Sequence, residues 1–298
     1  MRNTFCETLV KQSSRPDFVF LTGDLGYNAL EPLQKAAGDR FINAGIAEQN
    51  MVSVAAGLAS RGLRPWAYSI APFIYARPLE QVRNDVCLHD LPVKLVGNGG
   101  GYAYGVMGGS HHAIEDYGIL LSLLNMRVFV PTFAADLPPI VEKLLQLDHP
   151  AYLRLGRDEK PKDLELPAYA PWRKLLSGKG PALLIVGPLA GGLIGALQKL
   201  PEAKRPNTWI LTELPLENIP SDFLKDMEDS AHLAVVEEHL AHGGVGETLA
   251  RYLLISGKAP KRFSHFCAQG YLSKYYGSQN FHRKECGLSP EDILKELE

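Results

Sequence analysis

Four features of the sequence carry side chains that could take part in chemistry. They are Asp24, Glu48, the glycine-rich loop at 97–112 and Arg157. Each comes after an apolar stretch that predicts a strand, and in open α/β sheets ligands bind at the carboxyl ends of strands. Alone, Asp24 has an ordinary interpretation as a turn residue and Arg157 as a solvated charge. The grouping, more than any single residue, therefore indicates a site.

Glu48 stands in the first turn of a predicted helix. Residues 41–51 predict a short strand, a turn at Gly45 and a helix whose apolar residues continue at helical spacing to Leu58. A first-turn glutamate complements the helix dipole, which is worth up to about 1 kcal/mol. That effect would by itself explain Glu48, so any chemical role depends on its surroundings.

The glycine-rich loop is harder to explain as a plain connection. It has seven glycines in residues 97–109, and ordering glycine costs more conformational entropy than ordering any other residue. The loop lacks the G-K-[ST] ending of a Walker loop, which excludes a nucleotide triphosphatase. Close approach of the backbone to a ligand or neighbouring subunit is expected instead. His111 and His112 with Glu115 and Asp116 could suggest a metal, but adjacent histidines point apart. One histidine placed for proton transfer or hydroxyl recognition is favoured.

Strands alternate with helices of 10–16 residues, which predicts an α/β fold with two doubly wound, mostly parallel sheets. Prolines, glycines and charges interrupt this alternation, so we expect a first domain at 1–160, a linker at 161–180 and a second domain at 181–298. Strands are predicted at 17–23, 40–43, 64–69, 91–97, 127–130, 151–155, 182–187, 208–212 and 232–237. Helices are predicted at or near 2–12, 29–36, 47–61, 74–89, 115–124, 134–147, 190–199, 220–228, 243–255 and from Ser289 onward.

Composition narrows the classes of function. The 298 residues are 46% hydrophobic with a net charge of −2, which is typical of a globular protein and makes nucleic acid an unexpected partner. No apolar run approaches the roughly 20 residues that span a bilayer, and no secretory signal is recognised at the start. The four cysteines have no C-x-x-C spacing, so neither zinc nor a disulfide framework is predicted. We expect a cytoplasmic protein that does not bind membranes.

Several motifs together resemble the transketolase family. The resemblance covers nearly the whole chain and corresponds to the family's pyrimidine-binding and C-terminal domains. The motifs are T-G-D-L-G (22–26), F-I-N-A-G-I-A-E-Q-N-M (41–51), P-F (72–73), E-Q-V-R-N-D (80–85), G-x-S-H-H-A-x-E-D (108–116), V-V-E-E-H (235–239) and G-G-V-G-E (243–247).

The resemblance implies thiamine diphosphate as cofactor. Glu48 matches the acid that hydrogen-bonds N1′ of the aminopyrimidine, where a shared proton favours the imino tautomer needed for catalysis. Phe73 matches the aromatic ring that stacks on the pyrimidine. Asp24 lies in a motif near the pyrimidine and the subunit interface, and Ile70 aligns with a further position around the ring.

The resemblance also implies transfer of a two-carbon ketol unit from a ketose to an aldehyde. His111 matches a second catalytic residue, which contacts substrate hydroxyls, and Arg157 matches an arginine that binds the acceptor's anionic end. Met107 stands where the family usually has an aspartate that binds a donor hydroxyl. Because losing a polar partner discriminates strongly against the original substrate, a donor other than the ordinary pentose phosphates is expected.

One motif of full-length transketolases is absent from the sequence. They bind the diphosphate and Mg²⁺ through G-D-G and a later asparagine, whereas Gly23-Asp24-Leu25 and Gly38-Asp39-Arg40 lack the third glycine. The resemblance therefore implies the C-terminal subunit of a split transketolase. A second subunit would carry G-D-G…N and most Mg²⁺ contacts, in an α₂β₂ assembly that self-associates through the pyrimidine domain.

Three other hypotheses remain open at the level of sequence. The β subunit of a 2-oxo acid dehydrogenase shares this two-domain plan and the glutamate, but the loop at 108–116 favours transketolase. A non-catalytic subunit that binds or regulates a partner is the second. A dinucleotide-binding enzyme is disfavoured, because no strand precedes G-x-G-x-x-G with a later acid.

Overall fold

Two sheets flanked by helices organise the computed structural model, which describes residues 1–26 and 28–297. Within these residues the first sheet has seven strands and the second has five. Neighbouring strands run parallel except for one antiparallel pair in each sheet. The prediction of an α/β fold with two mostly parallel sheets is confirmed.

The first sheet draws nearly all its strands from the amino-terminal half of the chain. In chain order its unit contains α1 (Arg2–Gln12), β1 (Phe18–Thr22), α2 (Glu31–Ala37), β2 (Phe41–Asn43), α3 (Glu48–Ser60), β3 (Arg64–Ile70), α4 (Ala71–Tyr75), α5 (Leu79–Gln81), β4 (Lys94–Asn98), α6 (Asp116–Leu121), β5 (Arg127–Phe129), α7 (Leu137–Gln146) and β6 (Ala151–Leu155). Six of the seven strands lie in the order β5-β6-β4-β3-β1-β2, and the seventh comes from the carboxyl-terminal part of the chain.

The second sheet is built from the carboxyl-terminal part of the chain. Its unit contains β7 (Trp172–Leu176), β8 (Ala182–Val186), α8 (Ala190–Leu197), β9 (Asn207–Leu211), β10 (Glu213–Leu214), α9 (Ser221–Ser230), β11 (His232–Leu240), α10 (Val245–Ile255), β12 (Arg262–Ala268), α11 (Gln279–Glu285) and α12 (Pro290–Leu297). The sheet order is β12-β11-β8-β9-β7, while β10 pairs antiparallel with β5 of the first sheet.

Buried strands hold helices on both faces of the first sheet. Every residue of β1 is buried, and successive side chains of a strand point to opposite faces. Val19 and Leu21 accordingly pack in one apolar cluster, and Phe18 and Phe20 in another. Among the described residues, no helix is both long and apolar enough to span a membrane.

The structure differs from the sequence-based expectation at three places. The segment predicted as a linker contains β7, an edge strand of the second sheet, and β10 and β12 were not predicted. The helix predicted over 74–89 is interrupted at Pro78 and continues as α5 and a π-helical turn at Val82–Cys87, because proline lacks an N–H donor and crowds the preceding turn. The domain boundaries themselves stay a prediction.

Buried charges connect the two units. Asp116 of α6 pairs with Arg154 of β6 at 2.9 Å, and Arg154 Nη2 donates to the backbone oxygen of Glu238 in β11 at 2.9 Å. The Glu238 carboxylate accepts hydrogen bonds from Arg283 Nε at 2.8 Å and from the backbone N–H of Tyr102 at 2.6 Å. Because these groups are almost fully buried, they fix the glycine-rich loop against the second unit.

Candidate cofactor and substrate site

Glu48 lies where three strands of the first sheet end. It is the first residue of α3, and its side chain is only 4% exposed. Ser69 Oγ, near the end of β3, donates to Glu48 Oε1 at 3.2 Å. At the end of β1, a Cβ on Gly23 would lie 3.4 Å from the same oxygen and 3.2 Å from the Gly45 carbonyl oxygen. A side chain at Gly23 would therefore crowd the turn at Gly45 and contact the Glu48 carboxyl group.

The guanidinium of Arg77, a residue that the sequence analysis did not single out, lies between Phe73 and this carboxyl group. Phe73 belongs to α4, directly after β3, and is half-buried. The Cζ atom of Arg77 lies 3.7 Å from the centroid of the Phe73 ring, and its Nη1 donates to Glu48 Oε2 at 3.0 Å. The spacing of four residues, which brings side chains together on a helix, is the one sequence feature that could have revealed Arg77.

His111, which belongs to the glycine-rich loop, lies beside the Phe73 ring. Its ring centroid lies 5.2 Å from that of Phe73, with an interplanar angle of 65°. Ser110 Oγ lies 3.0 Å from His111 Nδ1, and the Tyr104 ring is 5.7 Å away. The structure thus brings together Glu48, Phe73 and His111, which are far apart in the sequence.

His112 is buried and faces away from this site. Its Nε2 lies 2.8 Å from the Gly105 carbonyl oxygen, and its Nδ1 lies 3.0 Å from the Tyr271 hydroxyl. Burial lowers the pKa of His112, which favours a neutral ring with one N–H donor. Among the described residues, no group of three or more His, Cys, Asp or Glu side chains is arranged to hold a metal ion. His112 therefore helps to fix the loop that presents His111.

Asp24 and Ile70, the other two residues predicted around the cofactor, lie at the ends of β1 and β3. Asp24 is exposed, and its Oδ1 accepts from Asn43 Nδ2 at 3.0 Å, which connects the ends of β1 and β2. Ile70 is the last residue of β3 and precedes α4, so it lies between Ser69 and the helix that carries Phe73. Because β1 and β3 both end beside Glu48, both positions border its site.

Met107 and Arg157 are more distant from Glu48 in their contacts. Met107 is 56% exposed at the tip of the loop. Arg157 is exposed just beyond β6, in a narrow cleft between the two units beside Arg154 and Arg283. Within residues 1–26 and 28–297, no hydrogen bond, ion pair or ring contact joins Arg157 to Glu48. Their substrate roles stay predictions.

The glycine-rich loop approaches the second unit of its own chain. At Gly101, where φ is +64°, a Cβ would lie 2.6 Å from Glu238 Oε1, and at Gly109 a Cβ would lie 3.1 Å from the Tyr271 hydroxyl. The expectation of close approach to a ligand or another subunit is corrected at these positions. The sequence could not reveal this partner, because it lies more than 100 residues away.

The residues around Glu48 fit an aminopyrimidine. The Arg77 guanidinium is planar, carries N–H donors and lies between the Phe73 ring and the Glu48 carboxylate. A heteroaromatic ring has the same flat shape and could make the same two kinds of contact. The arrangement therefore offers an aromatic face beside a buried carboxyl group at the strand ends of an α/β scaffold.

Comparisons with known proteins show which family the chain belongs to. The family described as transketolase, pyrimidine binding domain, matches residues 4–162. One of the subunits of the apulose-4-phosphate transketolase of Actinobacillus succinogenes is 32% identical, over 89% of this chain and 86% of that protein. A putative transketolase C-terminal section from Methanocaldococcus jannaschii is 29% identical, over 93% and 92% of the two chains.

A solved structure matches over the same length. It is a split gene transketolase in an inactive β4 tetramer, with a TM-score of 0.83, 30% identity and coverage of 99% of this chain and 96% of that chain. The chain belongs to the transketolase family. The prediction that it corresponds to the C-terminal subunit of a split transketolase is confirmed.

Proposed function

We propose that this subunit contributes the pyrimidine-binding part of an active site that transfers a two-carbon ketol unit from a ketose to an aldehyde. Thiamine diphosphate would be the cofactor. The observation that carries the proposal is the buried carboxyl group of Glu48, held opposite the face of Phe73 at the carboxyl edge of the sheet. A buried acid beside a ring-binding surface is suited to sharing a proton with a ring nitrogen.

Each residue of the site has a role in this proposal. Glu48 would share its proton with the pyrimidine N1′, Ser69 would orient the carboxyl group, and Phe73 would stack on the ring. When bound, thiamine diphosphate supplies a nucleophilic carbon that accommodates an electron pair while a C–C bond is broken or formed. Asp24 and Ile70 would border the ring.

The substrate side of the proposal rests on the loop and the domain cleft. His111, adjacent to Phe73, would bind sugar hydroxyls, and Arg157 would bind an anionic acceptor group. Met107 offers no hydrogen-bonding acid, which favours a donor other than ordinary pentose phosphates. Because one relative is named for apulose 4-phosphate, phosphorylated ketoses are the first donors to test.

A second subunit would complete the site. Relatives named as a transketolase subunit and as a C-terminal section, together with the split-gene structure, support a partner that carries G-D-G…N and binds the diphosphate and Mg²⁺. An α₂β₂ assembly is proposed. Ile46, just before α3, and Val54, within α3, are exposed apolar side chains, which supports self-association through this unit.

The test uses the chain co-assembled with the G-D-G…N subunit from the same source. Wild type should transfer ketol units from a phosphorylated ketose to an aldehyde only with thiamine diphosphate and Mg²⁺ present. Glu48→Gln should lower kcat by at least about 100-fold, the lower range for positioned proton transfer, while sedimentation shows unchanged assembly. Near-normal turnover in this variant contradicts the proposal. Activity with a 2-oxo acid and lipoyl acceptor instead would indicate the dehydrogenase alternative.

A further inference from the structure

Arg77 makes both of the contacts that the proposed function requires of the cofactor's pyrimidine. Its guanidinium lies 3.7 Å from the centroid of the Phe73 ring, and its Nη1 donates to Glu48 Oε2 at 3.0 Å. A ring stacked on this face of Phe73 and bonded to Glu48 needs the space that the guanidinium fills. The two groups therefore exclude each other from this position.

The opposite charges of Arg77 and Glu48 add a chemical consequence to this steric exclusion of the pyrimidine. The Glu48 side chain is 4% exposed and that of Arg77 is 44% exposed, so the cation partly covers an acid that is otherwise buried. A guanidinium stays protonated, so it donates hydrogen bonds but cannot accept one. While Arg77 holds Glu48 in an ion pair, the carboxylate is acting only as an acceptor, whereas the proposed function needs it to share a proton.

We propose that Arg77 is a gating residue that occupies the pyrimidine position and must swing away before the cofactor can bind productively. The inference rests on the proposed function, since it assumes that Glu48 and Phe73 bind the pyrimidine. Arg77 follows the end of α4 and precedes Pro78, on the exposed side of the site. Its long side chain can therefore leave towards solvent without moving the sheet.

Gating of this kind lowers the apparent affinity for the cofactor. Only molecules in which Arg77 has moved can bind, so the apparent Kd equals the intrinsic Kd divided by the fraction in that state. A partly desolvated cation–π contact and an ion pair to a buried acid together make this fraction about one tenth or less. The same pairing stabilises the chain alone, because it neutralises the buried carboxylate.

The first experiment measures cofactor binding to the complex with the G-D-G…N subunit. Thiamine diphosphate with Mg²⁺ is titrated calorimetrically, and its association rate is followed by intrinsic fluorescence. Arg77→Ala should bind the cofactor about tenfold more tightly and faster than wild type. Arg61→Ala removes the same charge from an exposed position just beyond α3 and should bind as wild type does.

The outcomes separate the two proposals. Unchanged or weaker binding in Arg77→Ala, while wild type binds the cofactor, overturns gating and leaves the proposed function in place; weaker binding would make Arg77 a cofactor ligand. If the wild-type complex does not bind thiamine diphosphate, the proposed function fails and gating fails with it.

The second experiment needs neither partner nor cofactor. Urea unfolding of the chain alone is compared for wild type, Arg77→Ala, Glu48→Gln and the double variant. Arg77→Ala should lower the unfolding midpoint, and this loss should fall by at least half when Glu48 is already glutamine, because a neutral amide needs no counter-charge. Equal losses in both backgrounds overturn the ion pairing on which gating depends.

Discussion

Both carboxylate oxygens of Glu48 have donors, one from a hydroxyl and one from a cation. Ser69 belongs to a strand and holds its oxygen from a rigid position, whereas Arg77 reaches the other oxygen through a long, half-exposed side chain. The fixed donor can orient the carboxyl group throughout a reaction, and the mobile donor can be exchanged for a ligand. At the residue scale, the site combines one permanent and one replaceable contact.

His111 provides a test of substrate binding that is separate from cofactor binding. We expect His111→Ala in the assembled enzyme to raise KM for the ketose by about tenfold, the effect of losing one hydrogen bond of about 1.4 kcal/mol. The Kd for thiamine diphosphate, measured calorimetrically, should stay within twofold. His242→Ala is the matched control, because His242 is 96% exposed in the second unit. A loss of cofactor affinity as large as the rise in KM would contradict the assigned role.

The glycine-rich loop is the element that carries His111 to the strand ends. It is held by the buried Glu238 and the partly buried Tyr271, and a Cβ at Gly101 or Gly109 would lie 2.6 Å or 3.1 Å from these two side chains. At these two positions glycine reflects packing between two parts of one chain, whereas Gly97, Gly99 and Gly100 face side chains of the first unit.

Gly101→Ala should destabilise the chain, and Gly57→Ala should not. At Gly101 the backbone has φ +64° and a Cβ would lie 2.6 Å from Glu238 Oε1; the left-handed conformation alone costs about 1–2 kcal/mol. Gly57 lies within α3, and a Cβ added there would have open space for 4 Å around it, so alanine should stabilise by about 0.5–1 kcal/mol. Urea unfolding of the two variants checks both signs; equal effects would show that the loop tolerates a side chain.

The whole molecule depends on a buried charged network between its two units. Glu238 lies at its centre, with Arg283 and Gln279 from α11 on one side and the loop backbone at Tyr102 on the other. Separation of the units would expose or unpair these charges. The network therefore makes the relative position of the units part of the folded state, and with it the position of His111.

Glu238→Gln should lower the free energy of unfolding by about 3–5 kcal/mol, because it leaves buried cationic and N–H donors with a weaker partner. The matched control is Glu296→Gln, whose pair with Arg262 is about half exposed and is worth about 0.2–1 kcal/mol. Calorimetry should also show a broader or split transition for Glu238→Gln as the two units lose their coupling. A change no larger than that of the control would contradict a central role for Glu238.

The sequence predicted much of this arrangement and missed particular parts of it. Glu48, Phe73 and His111 were selected from motifs and do lie together, because each follows an element whose end is set by local spacing. Arg77 was missed, since it lay within the helix predicted at 74–89, where an arginine usually has a solvated role. The two-residue strand β10 was missed because it pairs with a strand more than 80 residues earlier, and no local periodicity encodes that pairing.

The sequence by itself determined the alternation of strands and helices, the family, and the side chains offered at the strand ends around Glu48. Periodicity and turn chemistry act over a few residues, so they can be recognised without coordinates. Only the tertiary structure decided that Arg77 lies between Glu48 and Phe73, and that the glycine-rich loop packs against Glu238 and Tyr271. Most of those contacts arise from packing between distant segments, where tertiary structure and burial decide which groups meet.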